Sequence, residues 1–206
     1  MNQLSLIRIR AAQLKDLHGI ADVLTDSFHS REGWEGWMRP VFRLGIYEDM
    51  RTRLREAKPT YGLGTSYAKG ASNVYYACLV SVLRRSVAVS DLSEETVVGT
   101  VEIGVRSLEL WTPGSSPHIY LSNLAVAPAY RRQGVASQLL IACEEIARQW
   151  GAHDLYLHVL QNNRSARRLY FNLGYRLHRV EPSLIDWFLH RPKRLLLRKP
   201  IPPTPP

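Results

Sequence analysis

Long apolar runs are missing from this 206-residue chain. No stretch approaches the roughly 18 uncharged apolar residues that a membrane-spanning helix needs. The opening MNQLSLIRIR alternates apolar and basic residues where an export signal would be continuously apolar. A soluble, unexported protein with no membrane span is the expectation. Cysteine is scarce as well. Cys78 and Cys143 are too few and too far apart for a disulfide framework or a metal cluster, and each sits in an apolar run. Both are expected to be reduced core residues, and no metal is expected. Acidic residues are the third shortage: 18 Asp and Glu against 27 Lys and Arg leave a net charge of +9. Such a surplus attracts nucleic acid or any polyanionic small ligand. Zinc-finger spacing, a helix-turn-helix pattern and an aromatic-rich RNA-binding signature are all lacking beside the arginine clusters, which argues against nucleic acid.

What is present suits one domain with a substantial core, spanning 1–200, followed by a Pro-rich tail over 201–206. Alternation over Leu6 to Arg10 predicts a strand, and the apolar spacing from Ala11 to Phe28 a helix. Trp37, Val41, Leu44 and Tyr47 predict a second helix within Trp34 to Glu56, interrupted near Gly45 and stopped by Pro59. Tyr61 to Asn73, with its Gly and Ser, reads as a loop, and Ser86 to Glu95 as a hairpin connection between strands Val74 to Leu83 and Thr96 to Val105. A turn at Pro113 to Pro117 leads to a strand over His118 to Ala127. Next come a helix from about Ala136 to Trp150 ended by Gly151, a strand Asp154 to Val159, and a helix from about Asn163 to Leu173 ended by Gly174. Tyr175 to Arg179 and Arg194 to Lys199 supply final strands, and PIPPTPP reads as a solvated extension.

Chemistry concentrates between the strand His118 to Ala127 and the helix after it. Leu124, Ala125, Val126, then Arg131, Arg132, Gln133, Gly134, Val135, Ala136 and Ser137 place a strand and a basic glycine loop directly before a helix. Unpaired N–H groups of the first helical turn, the helix dipole and the small residues Gly134 and Ala136 make a site for a phosphate. The loop lacks the Gly-Lys-Ser/Thr ending of a triphosphate-binding loop and the three glycines of a dinucleotide fingerprint, so ATP and NAD fit poorly.

Arg131 to Ala136 resembles the Arg/Gln-x-x-Gly-x-Gly/Ala motif of the GNAT acetyltransferases. Asn163, Ala166, Leu169, Tyr170, Gly174 and Tyr175 resemble that family's second segment. Together the two cover roughly 96 to 180. The resemblance implies an α/β (α+β) fold, with a mixed, mostly antiparallel central sheet splayed at a coenzyme slot and flanked by helices. It also implies acetyl-CoA as cosubstrate. Backbone at Leu124 to Val126 would pair with the pantetheine arm, N–H groups of Arg132 to Ser137 would hold the pyrophosphate, and Asn163 would bond the arm. Tyr170 would act as general acid to the departing thiolate. Spacing independently sets Asn163, Ala166 and Tyr170 on one helix face, although a core tyrosine has the same pattern.

The acceptor amine must lose a proton. His158, on Leu155 to Val159, is the first choice as base, though a strand histidine is often only packed or solvated. The Tyr-Leu-His-Val run and Tyr120 resemble the paired Tyr and His of a eukaryotic Nα-acetyltransferase branch. Glu102 is the second candidate, with a salt-bridged Glu the plainer reading. With Cys143 in a helix and no Ser, His, Asp constellation, direct transfer in a ternary complex is expected.

The segment from Ser122 to Asn163 is similar to plastid and cyanobacterial GNAT proteins and to ribosomal-protein N-terminal acetyltransferases. That implies protein N-termini or lysines as acceptors. A small-molecule amine and a non-catalytic coenzyme-binding module remain as alternatives, and the oligomeric state is open. No transit peptide is read at the N-terminus, so a bacterial or cyanobacterial cytoplasm is the expected location. Acceptor specificity is expected in Phe28 to Tyr67 and Arg179 to Lys193, with Trp34, Trp37 and Trp187 lining the cleft or packing in the core.

Overall fold

The computed structural model describes residues 7–28, 33–56, 58–59, 65–68, 73–85, 94–106, 118–181 and 192–202. For 33–39, 56, 58–59, 65–68, 73–74, 85, 94 and 106 the description covers the backbone alone. The connections at Ser86 to Glu95 and Pro113 to Pro117 lie wholly or almost wholly outside the described residues. So do Trp187 and the side chains of Trp34 and Trp37. The chain forms two compact units, one from 1–103 and 123–142, the other from 104–122 and 143–206.

In the first unit, β1 (Ile7–Ala11) runs antiparallel to β4 (Asn73–Arg85), with Ile7 opposite Leu83 and Ala11 opposite Leu79. A single 3-10 turn, Leu14–Asp16, follows. The Asp16 carboxylate closes the turn by accepting from Gln13 N at 2.7 Å. Arg10 pins the same buried carboxylate through two bonds of 2.6 and 2.9 Å, and its guanidinium also reaches Glu95 at 2.8 Å. A bidentate Arg–carboxylate pair has the geometry in which charge pairing is strongest. It locks the turn from β1 into helix α1 (Leu17–Phe28).

Leu17, Ile20, Val23 and Leu24 of α1 pack with Met50, with Tyr76, Cys78, Val80 and Val82 of β4, and with Val97 and Ala125. Both cysteines are free and buried, as expected. Helix α2 (Gly33–Glu56) runs without interruption through Pro40 and Gly45. The break expected at Gly45 does not occur. Ile46, Tyr47, Met50 and Leu54 pack into the core on one side, and Glu48–Arg51 and Asp49–Arg53 pairs brace the other. Packing outweighs the roughly 1 kcal/mol propensity cost of one glycine.

The loop expected over Tyr61 to Asn73 contains a strand. β3 (Thr65–Ala68) pairs antiparallel with β4, from Thr65 opposite Tyr76 to Ala68 opposite Asn73, and β2 (Lys58–Pro59) pairs with β3. The edge of the long β4 offers N–H and C=O groups that need partners. That demand overrides the local Gly and Ser signal. β5 (Glu94–Arg106) and β6 (His118–Val126) pass from one unit to the other. Within the first unit the end of β6 lies along β5, where Ala127 N donates to Val98 O at 2.9 Å.

In the second unit β7 (Asp154–Leu160) is parallel to the first part of β6, with Ile119–Leu121 opposite Leu155–Leu157. On its other side it is antiparallel to β9 (Arg194–Pro200), which in turn pairs antiparallel with β8 (Arg176–Glu181). Helix α3 (Val135–Gln149) begins in the first unit and ends in the second, where Cys143, Ile146 and Ala147 are buried. Helix α4 is Arg164–Asn172. Both helices stop where the sequence places a glycine. Gly151 and Gly174 have φ of +70° and +91°, and the next residue's N–H reaches back five positions, Ala152 to Ala147 and Tyr175 to Tyr170. The tail departs from expectation at its start. Ile201 is buried and donates to His153 O at 2.8 Å, so the solvated extension does not begin there. No helix among the described residues is long and apolar enough to cross a membrane.

Two glycines of the first unit should respond oppositely to alanine. A Cβ at Gly19 would lie 2.8 Å from Val97 Cβ, whereas one at Gly45 meets nothing within 4 Å. Urea unfolding should show Gly19→Ala destabilised by about 1–3 kcal/mol and Gly45→Ala stabilised by about 1 kcal/mol. Equal midpoints for the two variants would contradict the close packing of α1 on β5 at Gly19.

Candidate active site

In the first unit, β6 ends in a loop built around left-handed backbone. After the 3-10 turn Pro128–Tyr130, Arg131 folds back and donates from Nε to Val126 O at 2.9 Å and from Nη2 to Ser27 Oγ at 3.3 Å. Its side chain therefore braces the loop. The same bond occupies the Val126 carbonyl, one of the backbone groups expected to face the pantetheine arm. Arg132 has φ +63° and Gly134 φ +83°. A non-glycine residue in that region is strained, and such strain is commonly found at ligand sites.

Gly134 O accepts from Gln138 N at 3.0 Å, which makes Gly134 the N-cap of α3. Ser, Asp or Asn at this place would turn its own oxygen onto the first helical N–H groups. Gly134 has no such oxygen, so the N–H groups of Val135, Ala136 and Ser137 keep no helical acceptor. A Cβ at Gly134 would stand in open space. Gln133 is held by its Nε2 on Ala129 O at 3.0 Å. The cradle thus fits an anion of phosphate type.

Upstream, Asn123 adopts φ +52° within β6, the only non-glycine residue besides Arg132 with positive φ among the described residues. Its Nδ2 donates to Glu102 Oε1 at 2.5 Å, while Arg53 Nη1 donates to Glu102 Oε2 at 2.7 Å. Glu102 is 1% exposed, and both its oxygens are engaged. Asn123 and Arg53 do not stand out in the sequence. The available signal is an Asn, the residue most tolerant of left-handed backbone after glycine, inside an apolar strand. Leu124 is half-buried, and Ala125 and Val126 are buried.

The second unit holds the other candidates. Tyr120 lies opposite Tyr156 in the register of β6 and β7, so His158 falls two residues further on the same face. Tyr120 Oη and His158 Nδ1 are 2.6 Å apart. Burial holds the His158 pKa below its ordinary 6.5, against the pull of Glu181, so the ring is neutral at physiological pH. Tyr170 on α4 is buried, with its ring edge-on to Tyr175 at 5.8 Å. Burial first, and Tyr120 second, push its pKa up to about 12. Asn163 is the N-cap of α4, its Oδ1 accepting from Ala166 N at 3.1 Å. That leaves its Nδ2 as the polar group of this side chain not used in the cap. Glu181, also missed from the sequence, places Oε1 2.9 Å from His158 Nε2.

A model of the acetyltransferase (GNAT) family matches residues 46–175, more than half the chain. The chain belongs to that family. The chain is 34% identical over 127 residues to GCN5-related N-acetyltransferase 10, chloroplastic, of Arabidopsis thaliana, a match covering 60% of this chain and 49% of that protein. It thus spans about half the length of the curated relatives it matches. Among solved structures it resembles the PaiA N-acetyltransferase of Thermoplasma acidophilum in complex with coenzyme A, with a TM-score of 0.59 and 16% identity over 94% of this chain and 98% of that one. It also resembles Arabidopsis thaliana NAA60 in complex with a bisubstrate analogue, with a TM-score of 0.59 and 20% identity over 95% and 99%. These likenesses show the fold. The expected cytoplasmic location does not stand, because the Arabidopsis thaliana relatives that match this chain are chloroplastic proteins.

Two measurements test the site as described. Gly134→Trp should abolish coenzyme A binding in calorimetry by filling the open space beside Gly134, at some cost in backbone strain because φ of +83° favours glycine, with circular dichroism showing the fold retained. Retained affinity would refute the cradle. For the histidine, kcat/KM should fall as pH drops through a pKa below 6.5, because protonation removes the acceptor lone pair. His158→Ala should lose that limb together with most of the turnover, and a wild-type profile in this variant would exclude His158 from the chemistry.

Proposed function

We propose that the protein transfers acetyl from acetyl-CoA to an amine of a protein, either an N-terminal α-amine or a lysine ε-amine, in a plastid-type setting. The observation that carries this reading is the 2.6 Å contact between Tyr120 Oη and His158 Nδ1, made by a histidine kept neutral through burial. The pair can take a proton from an incoming amine. The proton passes to Tyr120 Oη while the Tyr120 proton moves to His158 Nδ1. The neutral amine nitrogen then forms its bond to the thioester carbonyl carbon, the carbon–sulfur bond breaks as the thiolate leaves, and the second proton lost by the nitrogen as it becomes an amide ends on that thiolate, giving the coenzyme A thiol.

Tyr170, with its pKa pushed up to about 12, remains protonated across the neutral range and serves as a hydrogen-bond donor to the sulfur. Complete proton transfer to a thiolate of ordinary pKa, ~8.5, would be uphill by roughly 5 kcal/mol. Its part is thus stabilisation of developing charge more than net acid catalysis. The loop at Arg132 to Ser137 holds the pyrophosphate through backbone N–H groups, and Asn163 offers Nδ2 to the pantetheine arm.

Proton energetics favour the α-amine. Its pKa lies near ~8 against ~10.4 for lysine, so a lysine costs about 3 kcal/mol more to deprotonate at neutral pH. A desolvating acceptor cleft would reduce that difference.

Mass spectrometry of peptides incubated with acetyl-CoA and the protein tests this directly, comparing free N-termini with N-terminally blocked, lysine-containing sequences. Acetylation of either set is expected, with free N-termini the better substrates. Silence on both, with coenzyme binding intact, would reject a protein acceptor. Tyr170→Phe should lower kcat by about 10²-fold with coenzyme affinity unchanged.

A further inference from the structure

We propose that Glu181 is a positioning residue that holds His158 as its Nε2–H tautomer, which leaves the Nδ1 lone pair to receive the Tyr120 proton. The inference rests on the Tyr120–His158 relay above and adds the residue that sets its direction. An imidazole is a one-way device: in the neutral ring one nitrogen donates and the other accepts, and the partner of one fixes the role of the other. With Nδ1 facing a phenol at 2.6 Å, the relay works only if the ring proton resides on Nε2. That nitrogen has its only close acidic partner among the described residues in Glu181 Oε1, 2.9 Å away and off the ideal donor direction.

The backbone shows why Glu181 is there. Leu177 lies opposite Leu197 of β9, but a bulge follows, and Arg179 rather than His178 lies opposite Leu196. In the uninterrupted register Val180 would face Arg194; in the observed one Glu181 does. Directly opposed residues share a sheet face, and alternate residues along a strand return to it. His158 is opposite Leu196 on β7's side of β9. The one-residue bulge therefore turns Arg179 and Glu181 onto the face that carries His158 and Leu196, where an unbulged strand would present Val180. Bulges often re-aim a side chain beside a working site.

The surroundings are mixed in charge. Arg179 Nη2 lies 3.6 Å from the same Glu181 oxygen, and Arg179 and Arg194 each oppose a positive charge on His158. From the other elements, Tyr120 of β6, Tyr156 of β7, His178 of β8 and Arg198 of β9 belong to or border this face. Glu181 is the carboxylate next to the ring, with its side chain 26% exposed against 14% for His158, while Asp154, further along the same face of β7, is paired with Arg198 at 2.7 Å. The charge of Glu181, 2.9 Å from Nε2, raises the ring's proton affinity against burial and the two arginines.

Nitrogen-15 NMR of the imidazoles in the full chain near neutral pH tests this, with the His158 signals assigned by their loss in His158→Ala. The wild type should show a protonated Nε2 and an unprotonated Nδ1. Glu181→Gln should keep that tautomer through its amide oxygen, Glu181→Ala should lose the single tautomer, and both should titrate His158 at lower pH than the wild type. The acid limb of kcat should shift down with it in Glu181→Gln. A wild-type ring protonated at Nδ1, or an unaltered tautomer and titration in Glu181→Ala, would overturn the proposal. Should the tautomers be as expected while His158→Ala keeps full turnover, the relay fails and the Glu181 assignment stands.

Discussion

The first turn of α3 needs acceptors that its own chain does not supply, and much of the first unit is arranged around that need. A helix leaves its leading N–H groups unpaired, and most helices answer with a Ser, Thr, Asp or Asn side chain. Here the capping position is Gly134, in a conformation that favours glycine, at φ +83°. The approach is also strained, with Arg132 at φ +63°. Three contacts hold that strain: Arg131 bonded to Val126 O, Gln133 to Ala129 O, and a 3-10 turn that starts at Pro128. The close approach of Gly99 to the start of α3 serves the same end. A Cβ at Gly99 would come within 3.2 Å of Ala125 O, Val135 and Leu139, so a side chain there would push the helix start and the strand end away from β5 by a few tenths of an ångström.

The same unit shows how a buried charge can serve architecture. Glu102 is nearly inaccessible, yet it accepts from both Arg53 and Asn123. Removing either partner would leave a buried carboxylate undersatisfied, which costs several kcal/mol in order of magnitude. The arrangement ties helix α2 to β5 and clamps the left-handed residue of β6. Arg10, Asp16 and Glu95 do the comparable task at the turn from β1 into α1.

Much of this is legible in the sequence because it is periodic or local. Strand and helix bounds around Gly151 and Gly174 follow from glycine stop signals, and the loop proposed to bind an anion follows from a short contiguous motif. Features set by long-range pairing are not legible. β3 is hidden because its partner, β4, supplies the reason for it, and a window over Tyr61 to Asn73 contains only the Gly and Ser that argue for a loop. α2 runs through Gly45 because residues on distant strands pack against Ile46, Tyr47 and Met50. Among the candidate site residues, Tyr120, His158 and Tyr170 stand out through a family resemblance and, for Tyr170, helical spacing, whereas Glu181 does not. Its approach to His158 depends on a bulge between Leu177 and Arg179, and one inserted residue reverses every side chain that follows. The compartment is misread for a different reason, since that reading rests on what the N-terminal residues lack.

Desolvation gives the second unit its division of roles. Removing water penalises whichever form of a group carries charge. For His158 that form is the protonated one, so burial leaves the ring neutral and able to accept. For Tyr170 it is the phenolate, so burial leaves the hydroxyl intact and able to donate. One physical cause, applied to a base and an acid, leaves one group able to accept a proton and the other able to donate a hydrogen bond at the same pH. Burial alone would carry the histidine too far, because a base of very low proton affinity accepts poorly. Glu181 acts in the opposite sense, against Arg179 and Arg194. On the proposed mechanism, the strength of the base is therefore set by a carboxylate that touches neither amine nor thioester, and its reach to the ring depends on the register of an edge strand.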